Sequence, residues 1–115
     1  MMVTVNDTAS TISALRSQRF LRARAALKKA VDVLVNKYNV RKIMLIGSLL
    51  DNARFGFHSD IDLCVEGLSD KLYFKAVGEL LLAADEFEID IIPFENLPQN
   101  MKDLMKRGEV IYEKG

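Results

Sequence analysis

Residues 60–66 alternate between two kinds of side chain with a period of two. The two sets are Ile61, Leu63 and Val65 on one side and Asp60, Asp62, Cys64 and Glu66 on the other. Successive side chains of a β-strand point to opposite faces of a sheet, so this alternation predicts a strand with one packed face. It places Asp60 and Asp62 together on the open face, which constrains both the fold and the chemistry of the chain.

Three further segments have the composition of strands. Residues 42–46 are nearly all apolar and end at Gly47, which is typical of a strand buried on both faces. Residues 87–94 alternate again, and Pro93 predicts that this strand ends there or lies at a sheet edge. Residues 110–113 are expected to add a short edge strand.

Three helices are predicted from apolar residues at three- and four-residue steps. The first spans residues 12–38 and carries seven basic side chains against one acid, the second spans residues 69–84 with Ser69 as its cap, and the last lies within residues 96–108. Residues 1–9 are expected to form a flexible tail. The order of elements predicts an α/β (α+β) fold, in which a small mixed sheet is backed by helices.

The bulk composition narrows the class of protein. A chain of 115 residues, half of them hydrophobic, is expected to form a single domain over residues 1–115. No apolar run reaches the roughly 20 residues that span a bilayer, and no secretory signal is visible, so no membrane association is expected. The lone Cys64 excludes an internal disulfide and favours a reducing, cytoplasmic location. A net charge of zero implies no general affinity for nucleic acid.

Three acids form the candidate catalytic set. The Cα atoms of Asp60 and Asp62 are expected to lie about 6.6 Å apart on one face of their strand. Two carboxylates at that separation can converge on a pair of divalent cations, which lie roughly 3.5–4 Å apart in two-metal sites. Asp90 on the next strand shares their face if Ile89 and Ile91 are buried. Glu88 is an alternative to Asp90, because it lies on the same side of that strand.

A turn at Gly47 and Ser48 is the second candidate element. It follows the first predicted strand, where a glycine lets a phosphate approach the backbone and a serine can donate hydrogen bonds to it. A phosphate-holding turn beside a carboxylate pair that binds Mg²⁺ is what phosphoryl or nucleotidyl transfer requires. Either feature alone is common, since surface strands often carry two aspartates and Gly-Ser marks many turns.

The combination resembles a known family. Ile46-Gly47-Ser48, eleven residues, Asp60-Ile61-Asp62-Leu63 and then Glu88-Ile89-Asp90-Ile91-Ile92 are similar to the minimal nucleotidyltransferases of the DNA polymerase beta superfamily. The resemblance runs from about Lys42 to the C-terminus and includes the ending Gly108-Glu109-Val110-Ile111-Tyr112-Glu113. It implies a polymerase-beta-like nucleotidyltransferase fold.

The resemblance also implies an activity and a site. It implies Mg²⁺-dependent transfer of AMP from ATP to a hydroxyl acceptor, with Asp60 and Asp62 holding two Mg²⁺ ions and Asp90 completing the catalytic metal site and helping to deprotonate the acceptor. Gly47 and Ser48 would hold the triphosphate. Such minimal proteins are often paired with a small HEPN-type partner protein in a toxin–antitoxin system, so the acceptor is expected to be a tyrosine of that partner.

The segment after Ser48 departs from the family pattern. The family often has arginines at the first and third positions after Gly-Ser, where this chain has Leu49 and Asp51. Arg54 or His58 is a candidate for the missing positive charge, and Ser59 is a further candidate for nucleotide binding, although a serine there is also typical of a turn or cap.

Three other functions stay open at this stage. The chain can be a catalytically weak or inactive antitoxin that neutralises its partner by binding alone. It can transfer the nucleotide to a small molecule such as an aminoglycoside. The basic first helix can dock an acidic partner or a nucleic acid, although such a face is usually only solvated. A homo-oligomer is also possible.

Overall fold

The computed structural model describes residues 5–47, 60–84 and 86–115, which form three α-helices and four β-strands. In chain order they are α1 (Val5–Tyr38), β1 (Lys42–Ile46), β2 (Ile61–Glu66), α2 (Tyr73–Ala83), β3 (Ile89–Pro93), α3 (Gln99–Met105) and β4 (Glu109–Glu113). Short 3₁₀ turns at Asp70–Leu72 and Phe94–Asn96 lead into α2 and follow β3. The predicted mixed sheet backed by helices is confirmed.

The four strands form one sheet in the order β3-β2-β1-β4. β1 pairs antiparallel with both β2 and β4, whereas β2 and β3 run parallel. A parallel pair needs a crossover connection, and α2 supplies it between β2 and β3. β3 and β4 are the edge strands, as predicted, and β3 ends at Pro93, which has no N–H to donate to a further strand.

The main core lies between one face of the sheet and the helices α1 and α2. The strands contribute Ile43, Leu45, Ile61, Leu63, Val65, Ile89 and Ile91, and the helices contribute residues such as Leu27, Leu34, Ala76 and Leu80. Within each strand these buried residues are two positions apart, as expected for side chains on one face of a sheet. Burying one such side chain contributes roughly 1.5–3 kcal/mol, so the orientation of β2 is strongly specified.

A smaller core covers part of the opposite face of the sheet. Met44, Cys64 and Met105 are buried there, with Met105 coming from α3. The prediction that β2 has only one packed face is therefore wrong at Cys64, because α3 folds back across the sheet at that point. Burial and the nearby carboxylates of Glu95 and Glu66 raise the pKa of the Cys64 thiol to about 11, so it stays protonated.

Two predicted helix boundaries differ from the structure. α1 begins at Val5, so residues 5–9 belong to the helix rather than to a tail, since neither glycine nor proline interrupts them. A helix of 34 residues is about 51 Å long and extends beyond the sheet. Ile12 and Leu15, which share the predicted apolar stripe, are therefore about half exposed, at 47% and 49%. Ser69 precedes a 3₁₀ turn and makes no side-chain cap hydrogen bond.

The basic side chains of α1 pair with acids elsewhere in the fold. Arg22 bonds Glu86 at 2.7 Å, Arg24 bonds Glu109 at 3.2 Å and Lys37 bonds Glu79 at 3.0 Å. These ion pairs are exposed, so each contributes at most about 1 kcal/mol. They bring basic residues of the first helix together with acids from later parts of the chain. Within the described ranges no helix is long and apolar enough to cross a membrane.

Two glycines provide a matched test of the fold. Gly67 has φ of 93°, and an added Cβ would lie 2.8 Å from the backbone nitrogen of Arg41. Gly78 lies on the exposed side of α2, where no atom of the described residues lies within 4 Å of an added Cβ. We therefore expect Gly67→Ala to lower the free energy of unfolding by roughly 1–3 kcal/mol and Gly78→Ala to raise it by about 0.5–1 kcal/mol. Urea denaturation measures both, and equal effects of the two substitutions would contradict this turn geometry.

Candidate active site

The aspartates at 60, 62 and 90 lie on the face of the sheet opposite α1 and α2. Asp60 directly precedes β2 and is exposed, while Asp62 is half-buried within the strand. Asp90 is exposed on β3, and the parallel register pairs it with Asp62. Asp62 and Asp90 are thus adjacent across the two strands. They share the face opposite the main core because the apolar residues that flank them in the sequence are buried in that core.

Gly47 lies on the other side of Asp62. It follows Ile46, which pairs with Asp62 across β1 and β2, and it has φ of 80°. An added Cβ at this position would lie 2.7 Å from Oδ2 of Asp62, so only glycine leaves room for the carboxylate. Asp90, Asp62 and Gly47 therefore form a row across β3, β2 and β1.

Asp62 carries an unfavourable negative charge. Its pKa is raised above the ordinary 3.8, first by burial and then by the negative charges of Asp90 and Asp60. A hydrogen bond between the carboxyl groups of Asp62 and Asp90 raises the pKa further, since it favours the protonated acid as donor. Three acids that repel in this way provide the kind of donor set that a divalent cation would stabilise.

Two of the three acids form the kind of partial donor set that Mg²⁺ uses. Among the described residues, no group of three or more His, Cys, Asp or Glu side chains is arranged so that it could hold a metal ion. Mg²⁺ usually keeps several waters and is bound through one or two carboxylates together with substrate phosphates. Asp62 and Asp90, which are paired across β2 and β3, provide such a pair of carboxylates.

The structure bears differently on the remaining candidates. Ser48, Arg54, His58 and Ser59 lie outside the described residues. Glu88 directly precedes β3. Its carbonyl accepts a hydrogen bond from the N–H of Ile61 at 3.0 Å, so Glu88 lies beside the first residue of β2. Asp90 rather than Glu88 is the residue paired with Asp62.

A cavity beside Gly47 is a feature that sequence reasoning missed. It has a volume of about 270 Å³ and is lined by Ile46, Gly47, Leu104, Met105, Arg107 and Gly108. Its walls come from segments some sixty positions apart, the end of β1 and the turn between α3 and β4, so no local pattern marks it. Leu104 and Arg107 are exposed residues at the end of a short helix. Their sequence positions indicate surface residues and give no sign of a cavity.

The raised pKa of Asp62 predicts how the metal-free protein responds to pH. Because the folded-state pKa lies above the unfolded one, protonation favours folding. The stabilisation is complete below the unfolded pKa and is lost as pH rises through the folded value. Near neutral pH and in EDTA, Asp62→Asn should therefore stabilise the fold. The gain should be at most about 1 kcal/mol, or about 4 °C in Tm, because solvent screens a carboxylate that is only half-buried.

Calorimetric melting at pH 4 and pH 7 measures this effect, with Asp70→Asn as a control at an exposed acid distant in sequence from the row. The gain from Asp62→Asn should shrink at the lower pH. A loss of stability at pH 7 in EDTA would contradict the repulsion between these carboxylates.

The comparison with protein families agrees with this geometry. The model of the family described as Polymerase beta, Nucleotidyltransferase matches residues 28–115, which include β1 to β4 and the C-terminal part of α1. No curated protein and no solved structure matches the chain. The family match covers most of the chain and contains all three aspartates and Gly47. The chain belongs to the polymerase beta nucleotidyltransferase family.

Proposed function

We propose that the protein transfers AMP from ATP to a hydroxyl group in a Mg²⁺-dependent reaction, with Asp60, Asp62 and Asp90 as its catalytic and metal-binding residues. The observation that supports this proposal best is the row of Asp90, Asp62 and Gly47 on the open face of the sheet. Family membership supports nucleotidyl transfer in general. The choice of ATP, Mg²⁺ and acceptor is part of the proposal.

The three aspartates and the turn at Gly47 divide the work of the proposed reaction between metal binding and phosphate binding. Asp60 and Asp62 would hold two Mg²⁺ ions, and Asp90 would complete the site of the catalytic ion. When bound, the ions stabilise negative charge on the attacking and leaving oxygens. The backbone at Gly47, with Ser48, would hold the triphosphate, and Arg54 and Ser59 are further candidates for that contact. Gly47 has a φ of 80°, which favours glycine, and its lack of a side chain leaves the backbone open where the phosphates would approach.

The proposed reaction is a displacement at the α-phosphorus of ATP. The acceptor oxygen forms a bond to the α-phosphorus, and the bond from that phosphorus to the oxygen bridging to the β-phosphorus breaks. Pyrophosphate leaves with that oxygen. Asp90 receives the proton of the acceptor hydroxyl, since its carboxylate lies at the exposed edge of the row.

The acceptor is proposed to be a protein. The described sheet and helices leave the carboxylate row on an open face, and α3 covers the neighbouring part of that face. A macromolecular acceptor can bring its own contacts to such a face. We propose a tyrosine of a HEPN-type partner, which would make this chain the antitoxin of a toxin–antitoxin pair.

Position-specific labelling tests the reaction. We expect label from [α-³²P]ATP, but not from [γ-³²P]ATP, to appear on the partner encoded by the neighbouring gene in the presence of Mg²⁺. Asp60→Asn and Asp62→Asn should each lower the rate by at least about 100-fold, because each removes a charged ligand whose effect is realised in the transition state.

Asp70→Asn serves as the matched control, since it removes an exposed carboxylate from the turn before α2 and should leave the rate within twofold. Transfer of the γ-label would identify a kinase-like reaction instead. Full transfer by Asp60→Asn together with Asp62→Asn would refute the assigned site.

The same double variant separates catalysis from binding. If AMP transfer silences the partner, Asp60→Asn combined with Asp62→Asn should bind the partner and leave it active. Complete inhibition of the partner by this variant would instead support neutralisation by contact alone. An assay of partner activity with and without ATP distinguishes the two outcomes.

A further inference from the structure

We infer that the cavity beside Gly47 receives the base of the nucleotide substrate, with Leu104 and Arg107 as its recognition residues. The inference rests on the proposed function, because it places the nucleotide across the same row of residues. It assigns a role to the turn between α3 and β4, which the catalytic set does not use.

The cavity has the size and walls of a site for one ring system. Its volume of about 270 Å³ lies just below the roughly 300–1,000 Å³ typical of sites that enclose drug-sized ligands. Ile46, Leu104 and Met105 make its walls mainly apolar. Such a space suits a flat heterocycle rather than a whole nucleotide, whose charged phosphates would remain outside.

The cavity wall is held in place by close backbone contacts. An added Cβ at Gly108 would lie 2.6 Å from the carbonyl oxygen of Leu45, so the turn packs directly on the end of β1. The N–H groups of Arg107 and Gly108 donate to the carbonyls of Leu104 and Met105 at 3.1 and 3.0 Å. These bonds fix the backbones of Leu104 and Arg107 relative to each other at the cavity wall.

Strand order indicates which substrate occupies the cavity. The sequence of positions across the sheet is Asp90, Asp62, Gly47 and then the cavity towards β4. Asp90, the proposed acceptor of the proton, lies at the far end of this row. The acceptor hydroxyl is therefore expected on the β3 side, which leaves the β4 side to the nucleotide.

The charge of Arg107 favours a nucleotide over a neutral aromatic acceptor. Its side chain lines the cavity and forms no ion pair with any other described residue, whereas the adjacent Lys106 lies 3.8 Å from Asp103. A guanidinium group can stack on a base and also attract the phosphates attached to it. The segment after Ser48 lacks the family's usual arginines, so a cation from another part of the fold would compensate.

Calorimetric titration with two probes tests this subsite. The probes are α,β-methylene-ATP, which cannot donate AMP, and tripolyphosphate, which has no base; both are added with Mg²⁺ to the full chain. Leu104→Asn should weaken binding of the nucleotide analogue by about five- to tenfold and change tripolyphosphate binding by less than twofold. Leu81→Asn is the matched control, because Leu81 is 53% exposed near the end of α2 and Leu104 is 48% exposed near the end of α3.

A second pair of variants tests the cation. Arg107→Ala should weaken binding of the nucleotide analogue about fivefold or more, and Lys106→Ala should leave it within twofold. Thermal melting of each variant confirms that it is folded before titration. Because all four residues are exposed, these changes are compatible with folding.

Four results would overturn the inference. In the first, Leu104→Asn has the same nucleotide affinity as Leu81→Asn. In the second, Leu104→Asn weakens the binding of both probes by the same factor, which would make the cavity a phosphate site. A raised KM for the acceptor with unchanged nucleotide affinity would assign the cavity to the acceptor. Binding of the analogue without AMP transfer refutes only the proposed function, whereas a wild-type chain that binds neither probe refutes both.

Discussion

The packing of β2 determines the direction of every side chain in the candidate site. Ile61, Leu63 and Val65 are fully buried against α1 and α2. A shift of one residue in the register would expose all three and bury the aspartates in their place. The hydrophobic energy of these residues therefore holds Asp60 and Asp62 on the opposite face. The parallel pairing of β3 then places Asp90 beside Asp62.

This arrangement has an electrostatic cost that the core must offset. The raised pKa of Asp62 reflects burial and two neighbouring carboxylates, and these conditions oppose its charged form at neutral pH. A cation bound between the acids would convert that repulsion into attraction. Asp62 also borders Gly47, whose missing side chain leaves space next to the Asp62 carboxylate. Binding of metal and binding of phosphate are therefore expected to favour each other.

β2, β3 and the orientation of the aspartates could be predicted from the sequence because they depend on a local period of two, and β1 because it is a short apolar run that ends at Gly47. Asn39, directly after α1, has a φ of 52°, a conformation that asparagine tolerates, so the end of that helix also has a local cause. Packing between distant segments had no such local signal. The burial of Cys64 depends on α3, and the exposure of Ile12 and Leu15 depends on where the sheet ends beneath α1. The cavity lined by Leu104 and Arg107 likewise exists only because Gly108 packs on β1.

In the proposed reaction the three acids share bound metal beside Gly47. The most direct measurement is anomalous diffraction from crystals grown with Mn²⁺ and a non-transferable ATP analogue. We expect anomalous density between the carboxylates of Asp60, Asp62 and Asp90, with the analogue's phosphates adjacent to Gly47. A bound analogue with no metal at these carboxylates, or with metal held by other residues, would contradict it.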